Sequence, residues 1–379
     1  MKAAYITSYD STDVNQWSGL GSYIARSLEA QGIEWVRIGP LQRRLDPLIV
    51  GKFLVNKLLK KQYQRKRAPQ VLHSYARQIS ERLKGLKVDF LFSPGTLELA
   101  YLKTELPMVF WTDCTFDGMV DFYPNMTHLA LETLRDGHNA EQAALTGCRL
   151  ALYCSQWAAQ TALDHYDVDP SKVKVVPFGA NFVSKLKADD IPALVAVRGR
   201  EPVRLLFAGV EWERKGGDYA VALLNNLLRL GVPAELIVVG CDPPPAVLKP
   251  QIICRGFLSK NVPSELEELE RLFSTSHYVV LPSRAECYGL VLTEANSFGV
   301  PILASDVGGF PEIVRQGRNG FCFPLTTFVK ESTREIMDLR NASGAYEKLA
   351  AGAFAESQER LNWQAAGRQA KALIEAAIP

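Results

Sequence analysis

The chain is 379 residues long, 47% hydrophobic and 22% charged, with a formal net charge of +2. Its length exceeds the size at which one hydrophobic core usually stops growing, so two domains are expected, and the near-balanced charge singles out no nucleic-acid partner. Seven cysteines without a C-x-x-C pair, a start (MKAAYITSYD) lacking the apolar core of a signal peptide, and the absence of any run of about 18 apolar residues speak against a disulfide framework, a structural zinc site and a membrane span, and for a cytoplasmic location.

Short β-rich apolar runs alternate with helical patterns from the first residues onward. AAYIT precedes LGSYIARSLEAQG, IEWVRIG follows, and DFLFS, PMVFWTD, RLALYCS and KVKVVPFG come later. This βαβ rhythm, with strands apolar throughout as expected when helices cover both faces, predicts a doubly wound parallel sheet over residues 1–180. Gly19 and Gly21 open its first helix, as a bare turn or as a ligand loop. The stretch RRLDPLIVGKFLVNKLLKKQYQRKRAPQ is the most basic of the chain, with Phe53, Leu54, Leu58 and Leu59 interleaved among lysines. It reads as a solvated helix with a core-facing stripe or, over residues 43–67, as a peripheral contact with an anionic inner membrane face. Asp113 falls at the carboxyl end of the strand MVFWT, where it orients a ligand hydroxyl or caps the next turn. His73, His128, His138, His165 and His277 show no metal-ligand spacing.

The polar stretch ANFVSKLKADDIPALVAVRGREP lacks clear periodicity over most of its length and is read as a linker, residues 181–200. A second set of runs follows over 201–354: VRLLFAG, AELIVVG, QIICRGF, HYVVLPS, PILAS and GFCFP, with the helix GDYAVALLNNLLRLG inside it. A final helical pattern, to residue 379 with its part from about 355 free to return to the first half, closes the chain. Ligands of doubly wound sheets sit beyond the carboxyl ends of strands, so two such domains facing across a cleft are expected to carry their chemistry just after strands.

Two stretches meet that condition. In FAGVEWERKGGDYA, Arg214 and Lys215 stand just before a helix, where positive charge opposes the helix dipole by roughly 0.3 to 1 kcal/mol each. A bound diphosphate reverses that cost, since Arg clamps phosphate oxygens as a fork and Lys acts as a point charge; a solvated basic turn is the plainer reading. In SRAECYGLVLTEANSFGVP, a loop carrying Glu286 and Tyr288 leads into a helix from about Gly289 to Phe298, with Glu294 inside it and Gly299 and Pro301 as its stop. From Gly289 to Glu294 a helix rises only about 7 to 8 Å, so both acids can line one elongated ligand. Free amides near Gly289, Leu290 and Val291 suit an anion, and carboxylates accept hydrogen bonds from sugar hydroxyls. A solvated loop acid and a surface helix position are the alternatives.

Taken together, ERKGG and ECYGLVLTE, with YCSQWAAQTALDHY, KVKVVPFGAN, RGFLSKN and GVPILASDVGGFPEIV in order, make the chain resemble the family-four retaining glycosyltransferases of the GT-B fold, with their E-x7-E motif and upstream Arg-Lys pair. The resemblance implies a nucleotide diphosphate sugar, a UDP-hexose by association, bound mainly by the C-terminal domain. It implies a carbohydrate, lipid or small-molecule acceptor held by the N-terminal domain, and neither cofactor nor metal. Glu286 would hold donor-sugar hydroxyls, Glu294 the ribose, Arg214 and Lys215 the diphosphate, and the backbone at Tyr288, Gly289, Leu290 and Val291 would complete the phosphate site. Phe257, Leu258 and Lys260 in RGFLSKN would face the base, and Gly19 and Gly21 the cleft. Where many relatives carry a histidine, this chain reads Thr112-Asp113, which leaves the acceptor-side residue open. A GT-B-fold epimerase and a non-catalytic sugar-nucleotide-binding subunit are the rival readings. A dehydrogenase lacks its G-x-G-x-x-G here.

Overall fold

Among the described residues, the twelve apolar runs are the twelve strands of two parallel six-stranded sheets. The computed structural model describes residues 1–43, 46–182 and 184–378; Arg44 and Leu45 of the basic stretch, Val183 of the expected linker and the terminal Pro379 lie outside the described residues. The first sheet holds β1 (Lys2–Ile6), β2 (Glu34–Ile38), β3 (Phe90–Ser93), β4 (Met108–Thr112), β5 (Leu150–Tyr153) and β6 (Val173–Val175), ordered β2-β1-β3-β4-β5-β6. Its central strands are buried along their whole length, which is why they read as unbroken apolar runs.

The second sheet holds β7 (Val203–Ala208), β8 (Ala234–Val239), β9 (Ile252–Cys254), β10 (Tyr278–Leu281), β11 (Ile302–Ser305) and β12 (Gly320–Phe323), ordered β12-β11-β10-β7-β8-β9. Each sheet reverses direction once, between β1 and β3 in the first and between β7 and β10 in the second. At such a reversal the following helices leave to opposite faces, and ligands of doubly wound sheets bind beside the two loops beyond the strand ends.

The chain divides into two units, Met1–Pro177 with Trp363–Pro379, and Phe178–Asn362. Two expectations change here. The stretch 181–200 is no free linker: it contains the helix Ile191–Arg198, whose Ile191 and Val195 are buried with Ala350 and Phe354 of the second unit. The closing helical pattern is two helices, Ala345–Glu359 and Trp363–Ala377. Only the latter joins the first unit, where Gly367 lies so close to the helix Leu20–Glu29 that a Cβ would overlap the Ser27 carbonyl. Trp363 stacks on Tyr23 there and meets Trp111 edge-on.

Candidate active site

The two loops at the β7/β10 reversal are residues 209–216 and 282–289, and they touch backbone to backbone. Gly216 holds a left-handed φ of 76°, and a Cβ there would overlap the carbonyl oxygen of Pro282. No other residue type meets both conditions without strain. The amide of Arg284 donates to the carbonyl of Arg214 at 2.7 Å. A clasp outside them fixes the pair further: Arg284 donates to both carboxylate oxygens of Asp218 (2.9 and 2.7 Å), lies over the Tyr219 ring at 5.0 Å, and holds the Asp218 carboxyl below its ordinary range.

Inside this frame Arg214, Lys215 and Glu286 converge. Their side chains are about one-tenth exposed. Lys215 Nζ and Arg214 Nη1 both meet Glu286 Oε2, the latter at 3.2 Å, and Arg214 also donates to the Ala285 carbonyl at 2.8 Å and to Glu211. The Lys215 stem lies over Gly209. The cost expected for two cations ahead of the helix Gly217–Arg229 is therefore offset by a carboxylate from 71 residues away. Buried charges persist only when paired and hydrogen-bonded, and this cluster satisfies that rule.

The second loop runs into the helix Leu290–Ser297 through Gly289, whose φ of 94° is left-handed and whose missing side chain leaves room for the Phe310 ring. The amides of Leu290 and Val291 precede the first bond of this helix, which the Leu292 amide makes to the Gly289 carbonyl at 3.0 Å. Tyr288 turns its side chain inward, its hydroxyl donating to the Phe178 carbonyl at 2.7 Å. At the other end of the helix, buried Arg198 donates to the Phe298 and Gly299 carbonyls at 2.7 and 2.8 Å. Glu294 is buried within the helix, and its carboxylate receives Lys260 Nζ from the loop after β9. Lys260 also lies 5.5 Å over the Phe182 ring, whereas Phe257 in the same loop is 69% exposed.

The expected residues thus fall into two linked clusters in the second unit, Arg214–Lys215–Glu286 and Lys260–Glu294. Arg284, Asp218 and Arg198, which hold the loops and the helix, carry no local signal in the sequence, because each acts on a partner far along the chain.

In the first unit, the loops after β1 and β3 meet where Glu98 accepts from the Ser8 amide at 3.1 Å. Gly19 has a φ of 81° and precedes the helix Leu20–Glu29; Gly21 leaves room for the Tyr9 hydroxyl and its carbonyl accepts from Tyr5 at 2.5 Å. Asp113 follows β4, half-buried, and its carbonyl accepts from the Cys154 thiol at 3.7 Å. The short helix Phe116–Met119 beyond it is capped by Thr115, whose hydroxyl accepts from the Gly118 amide at 3.0 Å.

Residues 202–341 match the family described as Glycosyl transferases group 1. A D-inositol 3-phosphate glycosyltransferase of Streptomyces bingchenggensis is 33% identical over 222 residues, covering 55% of this chain and 48% of the relative, so the chain spans about half the length of that curated relative. Two solved structures align over 99% of this chain: sucrose-phosphate synthase of Thermosynechococcus elongatus (98% of its own chain, TM-score 0.70, 15% identity) and Anabaena HepE in complex with UDP and glucose (100%, 0.63, 17%). These likenesses show the GT-B fold, and the family match supports a group 1 glycosyltransferase domain in the second unit.

Proposed function

We propose that the chain is a retaining glycosyltransferase that moves a hexosyl group from a nucleotide diphosphate sugar, a UDP-hexose first, to an acceptor hydroxyl. The observation that carries this reading is the meeting of Arg214, Lys215, Glu286 and the amide end of Leu290–Ser297 at the strand-order reversal of the second unit. The group 1 match over that unit and the UDP and glucose held by HepE support it.

In this reading the donor diphosphate lies against the helix amides and competes with Glu286 for Arg214 and Lys215. The released carboxylate then accepts hydrogen bonds from donor-sugar hydroxyls, while Glu294 with Lys260 serves the ribose and the loop of Phe257 and Leu258 the base. As the bond from the anomeric carbon to the diphosphate breaks, the leaving group gains charge. Preorganised cations and amides stabilise that state more than the ground state, and no metal is required. The acceptor oxygen bonds the anomeric carbon on the same face, and its proton passes to the departing phosphate oxygen. The acceptor is assigned to the first unit, with Asp113 orienting its hydroxyl and the Gly19–Gly21 turn beside it.

The test uses Lys215→Ala and Glu286→Gln. UDP-hexose should raise the melting temperature of the unaltered chain, Lys215→Ala should abolish that shift, and both variants should lose roughly 100-fold or more in transfer. Full transfer activity in both would overturn the assignment.

A further inference from the structure

The helix Pro47–Leu58 carries apolar side chains on its exposed side as well as on its buried one. Its inward side carries Ile49, in the core of the first unit, and Phe53, packed against that core under Arg65 at 4.5 Å. Polar groups on this side also tie it down: Lys52 pairs with Glu132 at 2.8 Å and Asn56 donates to the same carboxylate at 3.0 Å. The outward arc is apolar instead, with Leu48 69%, Leu54 54%, Val55 56%, Leu58 84% and Leu59 65% exposed. Six of the fourteen large exposed hydrophobic residues among the described ones lie in the twelve positions from Leu48 to Leu59, a concentration that scattered surface leucines do not produce.

We propose that this face is a docking surface for an anionic lipid bilayer, with the helix lying in the plane of the interface. Charge selects that occupant. Lys57, Lys60 and Lys61 are exposed at the end of the helix, and the one acid between residues 43 and 67, Asp46, is spent capping the Leu48 amide at 2.8 Å. In a two-fold contact with a second copy, the same patch meets itself, so these lysines would be brought near their own counterparts; phospholipid headgroups complement them. The helix, twelve residues and about 18 Å long, is too short to span a bilayer, and no helix among the described residues is long and apolar enough to cross one. Apolar side chains flanked by lysines on one exposed face fit an element that enters only the headgroup boundary.

The experiment is co-sedimentation of the full chain with vesicles of phosphatidylcholine, with and without phosphatidylglycerol, at low and high salt. It contains no sugar nucleotide, so its outcome is independent of the transfer reading. Binding is expected only with phosphatidylglycerol and should weaken with salt. Each lysine is worth roughly fivefold in partitioning, so Lys57→Gln, Lys60→Gln and Lys61→Gln together should cost about 100-fold. Leu54→Ser with Leu58→Ser should cost about tenfold or more, with unchanged melting temperatures in both variants because these side chains face outward. Absence of binding at low salt, equal binding to vesicles lacking phosphatidylglycerol, or binding unaffected by either set of changes would overturn the proposal. So would a solution dimer dissolved by the leucine changes in a chain that ignores vesicles, which would give the face to a second copy.

Discussion

His277 sits just before β10, 5% exposed, with Nδ1 accepting from the Arg204 amide at 3.0 Å, so that Nε2 carries the proton toward the Gly199 carbonyl at 3.1 Å. Burial, and then the nearby guanidinium groups, push its pKa from 6.5 down to about 4, against the Gly199 hydrogen bond. The unfolded chain therefore takes up the proton first as pH falls. The contribution of this histidine is fully present above about pH 6.5 and is lost from there toward pH 4, by on the order of 3 kcal/mol in total. Thermal melts at pH 7, 5.5 and 4.5 should show a steeper decline in the unaltered chain than in His277→Asn; parallel declines would remove this histidine as the cause. Lys215 and Glu286 teach a related lesson. Removing Glu286 takes the carboxylate from both buried cations, whereas removing Lys215 leaves Glu286 to Arg214 alone, so a loss of activity has to be read beside the melting temperature of the ligand-free variant.

The helix Leu290–Ser297 is short, and its ends do more than its middle. Its start was legible in the loop that leads to Gly289 after a strand, and its stop in Gly299 and Pro301, though the left-handed turn at Gly289 is seen only in the structure. What holds it was not legible. Arg198, in a segment that reads as a polar connector, reaches carbonyls 100 and 101 residues away, and no local pattern records a contact at that separation. Arg198→Met should leave the Phe298, Gly299 and Ser274 carbonyls without this donor and cost about 2–4 kcal/mol in denaturant unfolding. On the proposed function, the melting shift expected with UDP-hexose should shrink with it, because the same helix presents its amides at the far end; a full shift in a destabilised chain would separate the two ends. The helix Pro47–Leu58 shows the complementary limit. Alternating lysine and leucine announces a stripe, but periodicity cannot say which side faces the core, and Leu54 and Leu58 turn away from the side that Phe53 occupies.

For the molecule as a whole, the central strands were readable because helices cover both faces of each sheet there, while edge strands such as Glu34–Ile38 and Val173–Val175 stay partly exposed and carry charged positions. Chain routing was harder, since the helix Trp363–Ala377 continues the pattern of the one before it yet belongs to the other unit. Ending the chain at Asn362 should remove the cover over Tyr23 and Ser27, and with it the buried Ala366, Ala370 and Ile374. Calorimetry should then show the unfolding of the first unit lowered by on the order of 10 °C, with the UDP response of the second retained. An unchanged first transition would mean the returning helix contributes nothing to that unit.

This routing also sets an order of events on the ribosome. The second unit has all its residues once Asn362 is made, whereas the first, whose strands were translated earlier, still awaits a helix. The half begun first is thus the half completed last, and during that interval the flank of Leu20–Glu29 that the last helix covers stands open to solvent.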